Sequence, residues 1–379
     1  MKKILLSALL VIATSIAIAQ GPPRSSKKVQ VAILFDTSNS MDGLIAQAKS
    51  RIWNIVNEVS TLRYRGTSPT IEFAIYEYGN DGLESSDDYI RQVLDLSTDL
   101  DEISQKLFAL TTNGGSEFCG AVTKEALDKL KWSNDPSDLK MIYIAGNEAF
   151  NQGSVSYKKS CASAKDKNIF INTIFCGDHQ QGINLLWKDG ATCSDGDYFN
   201  IDSDKAIAHI DTPYDKEIQR YNDSLNTTYY GYGSLGREKK RLQMSEDANA
   251  SSQAPSVAAE RATAKGKKNV YRNDSWDLID AVEGGKDLKS IKDEELPDEF
   301  KGKTLAEKKA LLNEKTRDRE KFQKKIAELA VARESFITDE RARRAAAGEE
   351  ADDFGSNVNE SIMMRAEEIG FEKEVVVPE

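Results

Sequence analysis

Histidine is nearly absent from this chain of 379 residues, which holds only His179 and His209. That scarcity argues against a zinc centre built on imidazoles and against most histidine-based acid–base or nucleophilic mechanisms, since each needs a ring nitrogen set beside further partners. Cationic charge is also short: 51 Lys and Arg stand against 62 Asp and Glu, a formal net charge of −11. With no basic cluster to release counterions from phosphates, nucleic acid is not an expected partner. Beyond the first twenty residues no stretch approaches the ~20 apolar residues needed to cross a bilayer. The length suits about two domains of roughly 150 residues each.

What is present begins with a leader. The stretch MKKILLSALLVIATSIAIAQ sets Lys2 and Lys3 before an apolar run that ends Ala17-Ile18-Ala19, the small-x-small pattern of a signal-peptidase site. Residues 1–19 are therefore expected to be a cleaved signal peptide, and the mature chain a periplasmic or secreted protein with no membrane span. Its four cysteines, Cys119, Cys161, Cys176 and Cys193, would meet an oxidising compartment, where four thiols allow three connectivities. The expected bridge is Cys176 with Cys193, which flank one loop-like stretch, with Cys119 and Cys161 as the remaining pair.

Val29 to Phe35 (VQVAILF) is a near-continuous apolar run rich in β-branched residues, as in a strand buried on both faces. Ile45, Ala48, Ile52, Ile55 and Val56 then recur with helical spacing. Ile71–Tyr78, Tyr89–Leu94, Lys140–Ala145 and Asn168–Phe175 repeat the strand pattern, with helical stretches at Gly120–Leu130 and Ser156–Ala164. Strands alternating with amphipathic helices predict an α/β unit over residues 28–205, a doubly wound and mostly parallel sheet covered on both faces.

Past residue 205 a mainly α-helical C-terminal extension is expected. Residues 206–303 read as helical or irregular, with the Ala/Ser/Lys-rich Ser245–Lys268 as a linker or poorly packed helix that should leave the extension separable. Thr304 and Glu307 form a capping-box pattern that opens a long charged helix over residues 304–347. Leu305, Leu312 and Ile326 share one heptad position and Phe322, Leu329 and Phe336 another, while Lys308, Lys315, Arg319 and Arg333 interrupt the seam. Self-association as a coiled coil and packing along the chain's own domain both remain open. Tyr229, Tyr230 and Tyr232 read as packing of the extension onto the domain, and residues 348–379 as a loose acidic tail.

In such sheets ligands bind beyond the carboxyl ends of the strands, so the loops there carry the chemistry. The first strand ends in Asp36-Thr37-Ser38-Asn39-Ser40, a carboxylate and two hydroxyls in D-x-S-x-S spacing. Oxygen ligands of this kind suit hard cations such as Mg²⁺. Asn113-Gly114-Gly115-Ser116-Glu117 supplies further oxygens after two glycines, and Gly146-Asn147-Glu148 follows the strand KMIYIA. An EF-hand is excluded, because Met41 and Gln47 occupy the positions where that loop needs Gly and Glu.

The three loops resemble the metal-ion-dependent adhesion site of the von Willebrand factor type A family, and the resemblance extends over residues 28 to about 205. It implies that Asp36, Ser38, Ser40 and Ser116 hold a divalent cation, Mg²⁺ or Mn²⁺, with Ser116 standing where the family has Thr. The third loop departs: the family's Thr-Asp-Gly is here Ala145-Gly146-Asn147, so Glu148 or Asn147 would have to reach in, and Glu148 is taken as the fifth ligand. The stretches IAGNEAFNQG, NTIFCGD, TPYD and WDLIDA resemble a bacterial exported subgroup with a helical extension. The implied function is that of a non-enzymatic protein that binds a protein or other macromolecule through an acidic residue at the metal. The alternative is a periplasmic scaffold whose site is degenerate and metal-free.

Overall fold

The computed structural model describes residues 26–42, 53–201, 210–348 and 354–374. The leader, residues 1–19, lies outside them. Seven strands come first along the chain: β1 (Lys28–Asp36), β2 (Leu62–Tyr64), β3 (Thr70–Tyr78), β4 (Ile90–Ser97), β5 (Leu139–Gly146), β6 (Phe170–Cys176) and β7 (Tyr198–Ile201). Six of them form one sheet in the order β4-β3-β1-β5-β6-β7. All its neighbours pair in parallel except β4, an antiparallel edge strand on β3. Chain order runs outward in both directions from β1, so the sheet reverses between β1 and β5.

The pleat divides the core. Val29, Val31, Ile33 and Phe35 of β1 join Met141 and Tyr143 of β5 on one face, while Ala32, Leu34, Ile142 and Ile144 point to the other. The second face is covered by α3 (Cys119–Lys129), α4 (Tyr157–Asp166) and α6 (Trp187–Thr192), through Val122, Leu127, Tyr157 and Trp187 among others; the short α5 (His179–Asn184) precedes α6. The first face meets α1, described over residues 53–59, and α2 (Leu100–Phe108), capped by Asp99 through the Asp101 and Glu102 amides.

That first face is completed by the extension, which corrects the expected division at residue 205. Its helices are α7 (Asp215–Asn226), α8 (Gly236–Gln253), α9 (Pro255–Lys265), α10 (Leu278–Glu283), α11 (Leu305–Ala346) and α12 (Phe354–Glu368). Ile218, Leu225, Tyr229, Val257, Ala259, Ala262, Trp276, Val358 and Ile362 share one buried cluster with Val29, Trp53, Val56 and Leu107. The stretch expected to be a linker is instead a packed hairpin of α8 and α9. Pro255 starts the second helix at a position that has no amide bond to lose, and its alanines let α9 approach its neighbours closely.

Charges are buried at this junction. The Arg261 guanidinium holds Asp101 of α2 at 2.6 Å and Asp247 of α8 at 2.7 Å, and lies 5.2 Å from the Trp53 ring; Lys265 reaches Asp247 at 2.6 Å. Two of the residues expected to interrupt the α11 seam, Arg319 and Arg333, belong to it. Leu312, Arg319, Ile326 and Arg333, seven apart, are all buried. Arg319 pairs with Asp277 at 2.7 Å and Asp280 at 2.9 Å, and Arg333 with Asp215 at 2.8 Å. The seam is thus occupied by elements of the same chain, α7 and α9 among them.

Two further expectations are corrected. The segment after Gly348, read as a loose tail, contains α12, whose Phe354, Val358, Ile362 and Ala366 recur every fourth residue and are buried, followed by β8 (Phe371–Lys373), antiparallel to β2. The disulfide joins Cys161 of α4 to Cys193 just beyond α6, while Cys119 and Cys176 are buried free thiols. The β6 pleat explains the difference, since it turns Cys176 into the core of the first face, and Cys193 packs against the second.

Candidate metal centre

Asp36 ends β1 where the strand order reverses, in the crevice in which open α/β sheets bind ligands. Backbone bonds draw three loops around it. The Thr37 amide donates to Tyr78 O at 2.9 Å, the Asn113 amide to Thr37 O at 3.0 Å, and the Asp81 amide to Gly114 O. Within the first loop the Ser38 amide donates to Asp36 Oδ1 at 2.8 Å, and the Ser38 and Ser40 hydroxyls are hydrogen-bonded at 2.8 Å. Asp36 and Ser38 are buried, whereas Ser40 is exposed, so the cluster has a dry floor and an open rim.

The third loop reaches this rim through Asn147. Ser40 Oγ donates to Asn147 Oδ1 at 2.9 Å, and Asn147 Nδ2 returns a bond to Ser40 O at 3.3 Å. Glu148 is exposed. Its carboxylate accepts from Gln152 Nε2 at 3.4 Å and its carbonyl from the Trp187 indole at 2.7 Å. Gly146 is glycine for a steric reason: a Cβ there would lie 2.6 Å from the Tyr78 hydroxyl, 3.0 Å from the Trp187 ring and 3.2 Å from Asp36 Cβ. The family's aspartate has no room at this position.

The second loop presents Ser116 at the surface and turns the adjacent Glu117 inward, where it is 5% exposed. The Glu117 carboxyl comes within hydrogen-bonding reach of Asp36 and Ser38. Burial pushes both carboxyls above the usual carboxylate range, Asp36 against the hydrogen bonds from Ser38, and Glu117 with a further push from the charge of Asp36. Asp36 Oδ2 and Glu117 Oε2 are buried and accept no hydrogen bond. Gly79, at φ +78°, passes against the pair, and a Cβ there would stand 2.8 Å from Glu117 Cγ and 2.9 Å from Asp36 Oδ1.

Of the five residues expected from the sequence, Asp36, Ser38 and Ser40 are gathered in one cluster, while Ser116 and Glu148 stand on the exposed rim. Glu117 was visible only as one oxygen donor among several, and Asn147 as an alternative to Glu148. The signal for Glu117 was the glycine pair before it, which lets the loop close on β3: a Cβ on Gly115 would lie 2.3 Å from Gly79 O. Among the described residues no group of three or more His, Cys, Asp or Glu side chains could hold a metal, so a cation here would rest on two carboxylates and on hydroxyl oxygens. That donor set is hard, and its orphaned carboxylate oxygens fit a divalent cation.

A doubly wound sheet with one antiparallel edge strand, and a D-x-S-x-S loop at its reversal point, resembles the von Willebrand factor type A arrangement, here followed by a helical extension. No family model matches the sequence, and no curated protein matches it. Among solved structures it is similar to proximal thread matrix protein 1 from the mussel byssus (15% identity over 48% of this chain and 43% of that one, TM-score 0.34), which has also been solved with a zinc-occupied MIDAS motif. It is likewise similar to the conserved hypothetical protein BatB from Bacteroides thetaiotaomicron (15% identity, 46% and 90%, TM-score 0.35) and to the SpRpn10 VWA domain (13% identity, 48% and 91%, TM-score 0.35). The match spans less than half the length of the byssus protein.

Proposed function

We propose that this chain is an exported, non-enzymatic binding protein that presents a divalent cation, Mg²⁺ or Mn²⁺, to a macromolecular partner. The observation that carries the reading is the buried Asp36 carboxylate at the sheet's reversal point, with Oδ2 unpartnered and the Ser38 and Ser40 hydroxyls beside it. A buried carboxylate with one oxygen left unserved is costly, and a hard cation is a ligand that relieves it. Asp36, Ser38 and Ser40 would hold the ion, and Ser116 and Glu148 on the rim could reach it through water. The cation would supply Lewis acidity toward an oxygen ligand, and the open side at Ser40 and Asn147 gives a partner's acidic side chain access to it.

Isothermal titration of chelator-stripped protein tests this. Wild type should bind Mg²⁺ or Mn²⁺ with 1:1 stoichiometry and Asp36→Ala should not, because the variant loses the central buried carboxylate, and the charge left at the site is too small to offset dehydration of a divalent ion. A second reading has its own support in Gly146, where the family's carboxylate is sterically excluded. On that reading the site is metal-free, and the protein is a periplasmic scaffold that makes its contacts through the helical extension. Absence of binding at millimolar cation would favour it.

A further inference from the structure

We infer that Glu117 is a direct cation ligand and supplies the carboxylate that position 146 cannot carry. This inference rests on the cation reading above. Three observations support it. Gly146 is closed to any side chain by the Tyr78 hydroxyl, the Trp187 ring and Asp36 Cβ, so the loop after β5 cannot deliver a carboxylate from that position. Glu148, the nearest alternative in that loop, is exposed, engaged by Gln152 and held through its carbonyl by Trp187. Glu117 alone among the loop carboxylates is buried beside Asp36, and each of the two residues keeps one oxygen that no donor serves.

The backbone is shaped to bring this about. Gly115 lies where any Cβ would strike Gly79 O, so the glycine pair lets the second loop close onto the end of β3 and drive the next-but-one side chain inward. Gly79 then leaves the space that the two carboxyl groups share. Two facing carboxylates in a dry site need a positive charge or a shared proton between them. With Asp36 and Glu117 both ligating, a divalent cation would be neutralised at the floor of the site, and Ser38 and Ser40 would complete the inner oxygens. The charge balance of the site is therefore set by the loop before α3 rather than by the loop after β5.

The test is Mn²⁺ and Mg²⁺ binding to full-length protein stripped with chelator, followed by titration calorimetry and by the cation-induced rise in melting temperature, for wild type, Glu117→Gln, Glu117→Asp, Glu148→Gln and Ser116→Ala. The expected result is a loss of at least about tenfold in affinity for Glu117→Gln, partial retention in Glu117→Asp, and near-wild-type binding in Glu148→Gln and Ser116→Ala. Glu117→Gln should fold, since it removes a buried charge, and its chelator-treated melting temperature, equal to or above that of wild type, confirms this. If wild type binds and Glu117→Gln binds equally well, the assignment of Glu117 is overturned while the cation reading stands. If Glu148→Gln instead abolishes binding, the carboxylate comes from the third loop and the inference fails. If wild type binds neither ion, the cation reading fails, and the shared proton replaces the metal.

Discussion

Replacing Arg261 with Ala should destabilise the whole molecule rather than release one part of it. Arg261 belongs to α9, yet its guanidinium is 2.6 Å from Asp101 of α2 and 2.7 Å from Asp247 of α8, with 1% of the side chain exposed. Removing one partner of a buried ion pair typically costs about 3–5 kcal/mol, because the remaining charge is left in a dry environment. Here the lower end applies, since Tyr271 still donates to Asp101 and Lys265 still pairs with Asp247. The expected loss is about 3 kcal/mol, with additional lost packing on Trp53. Urea unfolding should be followed by tryptophan fluorescence, for which Trp53 and Trp276 report the shared core and Trp187 the opposite face. The two faces should lose structure together at a lower midpoint. The double change Arg261→Met, Asp101→Asn should recover much of the loss, because it removes both signs of one buried pair and leaves Asp247 with Lys265. A loss below about 1 kcal/mol, or an early transition that unfolds residues 210–374 while the α/β unit stays intact, would refute the integrated core.

Gly146→Asp restores the family's carboxylate by sequence, but should destabilise the fold and fail to raise cation affinity, since its Cβ would stand 2.6 Å from the Tyr78 hydroxyl; thermal melts and Mn²⁺ titration read both effects. Alkylation of the denatured, unreduced protein should label two thiols, Cys119 and Cys176, and intact mass should show four after reduction. Cys161→Ser removes a bridge between positions 32 residues apart and should cost about 3–4 kcal/mol in the chain-entropy account, measured by denaturant midpoint. Burial pushes Lys267 down to about 8, although Glu58 favours its charge. Between that value and the ordinary lysine range the unfolded chain binds more protons than the folded one, so this group raises stability as pH rises through the window, by at most about 1.4 kcal/mol per pH unit. Lys267→Met should remove that slope when unfolding curves are compared across the window.

Much of the α/β unit is legible in the sequence because a strand buried on both faces writes itself as a continuous apolar run, and VQVAILF, KMIYIA and NIFINTIF do so. The long helix is equally plain, since Thr304 and Glu307 form its capping box in the structure. The extension's integration is not legible, because its apolar contacts with the sheet are spread over several helices and are interleaved with charges that are buried in the fold. Arg261, Lys265, Arg319 and Arg333 read as solvated residues until their carboxylate partners, distant in sequence, are seen beside them. The site shows the same limit. Asp36, Ser38 and Ser40 lie within one five-residue loop, so spacing alone gathers them. Glu117 is brought in by a loop closure that depends on Gly79 and Gly115, positions 36 residues apart.

Anomalous diffraction from crystals of the protein equilibrated with Mn²⁺ tests the central claim most directly. The account predicts one strong peak at the carboxyl ends of β1 and β5, about 2.0–2.2 Å from oxygens of Asp36 and of Ser38 or Ser40. A well-ordered crystal with no peak there, Asp36 Oδ2 and Glu117 Oε2 remaining face to face, would contradict it.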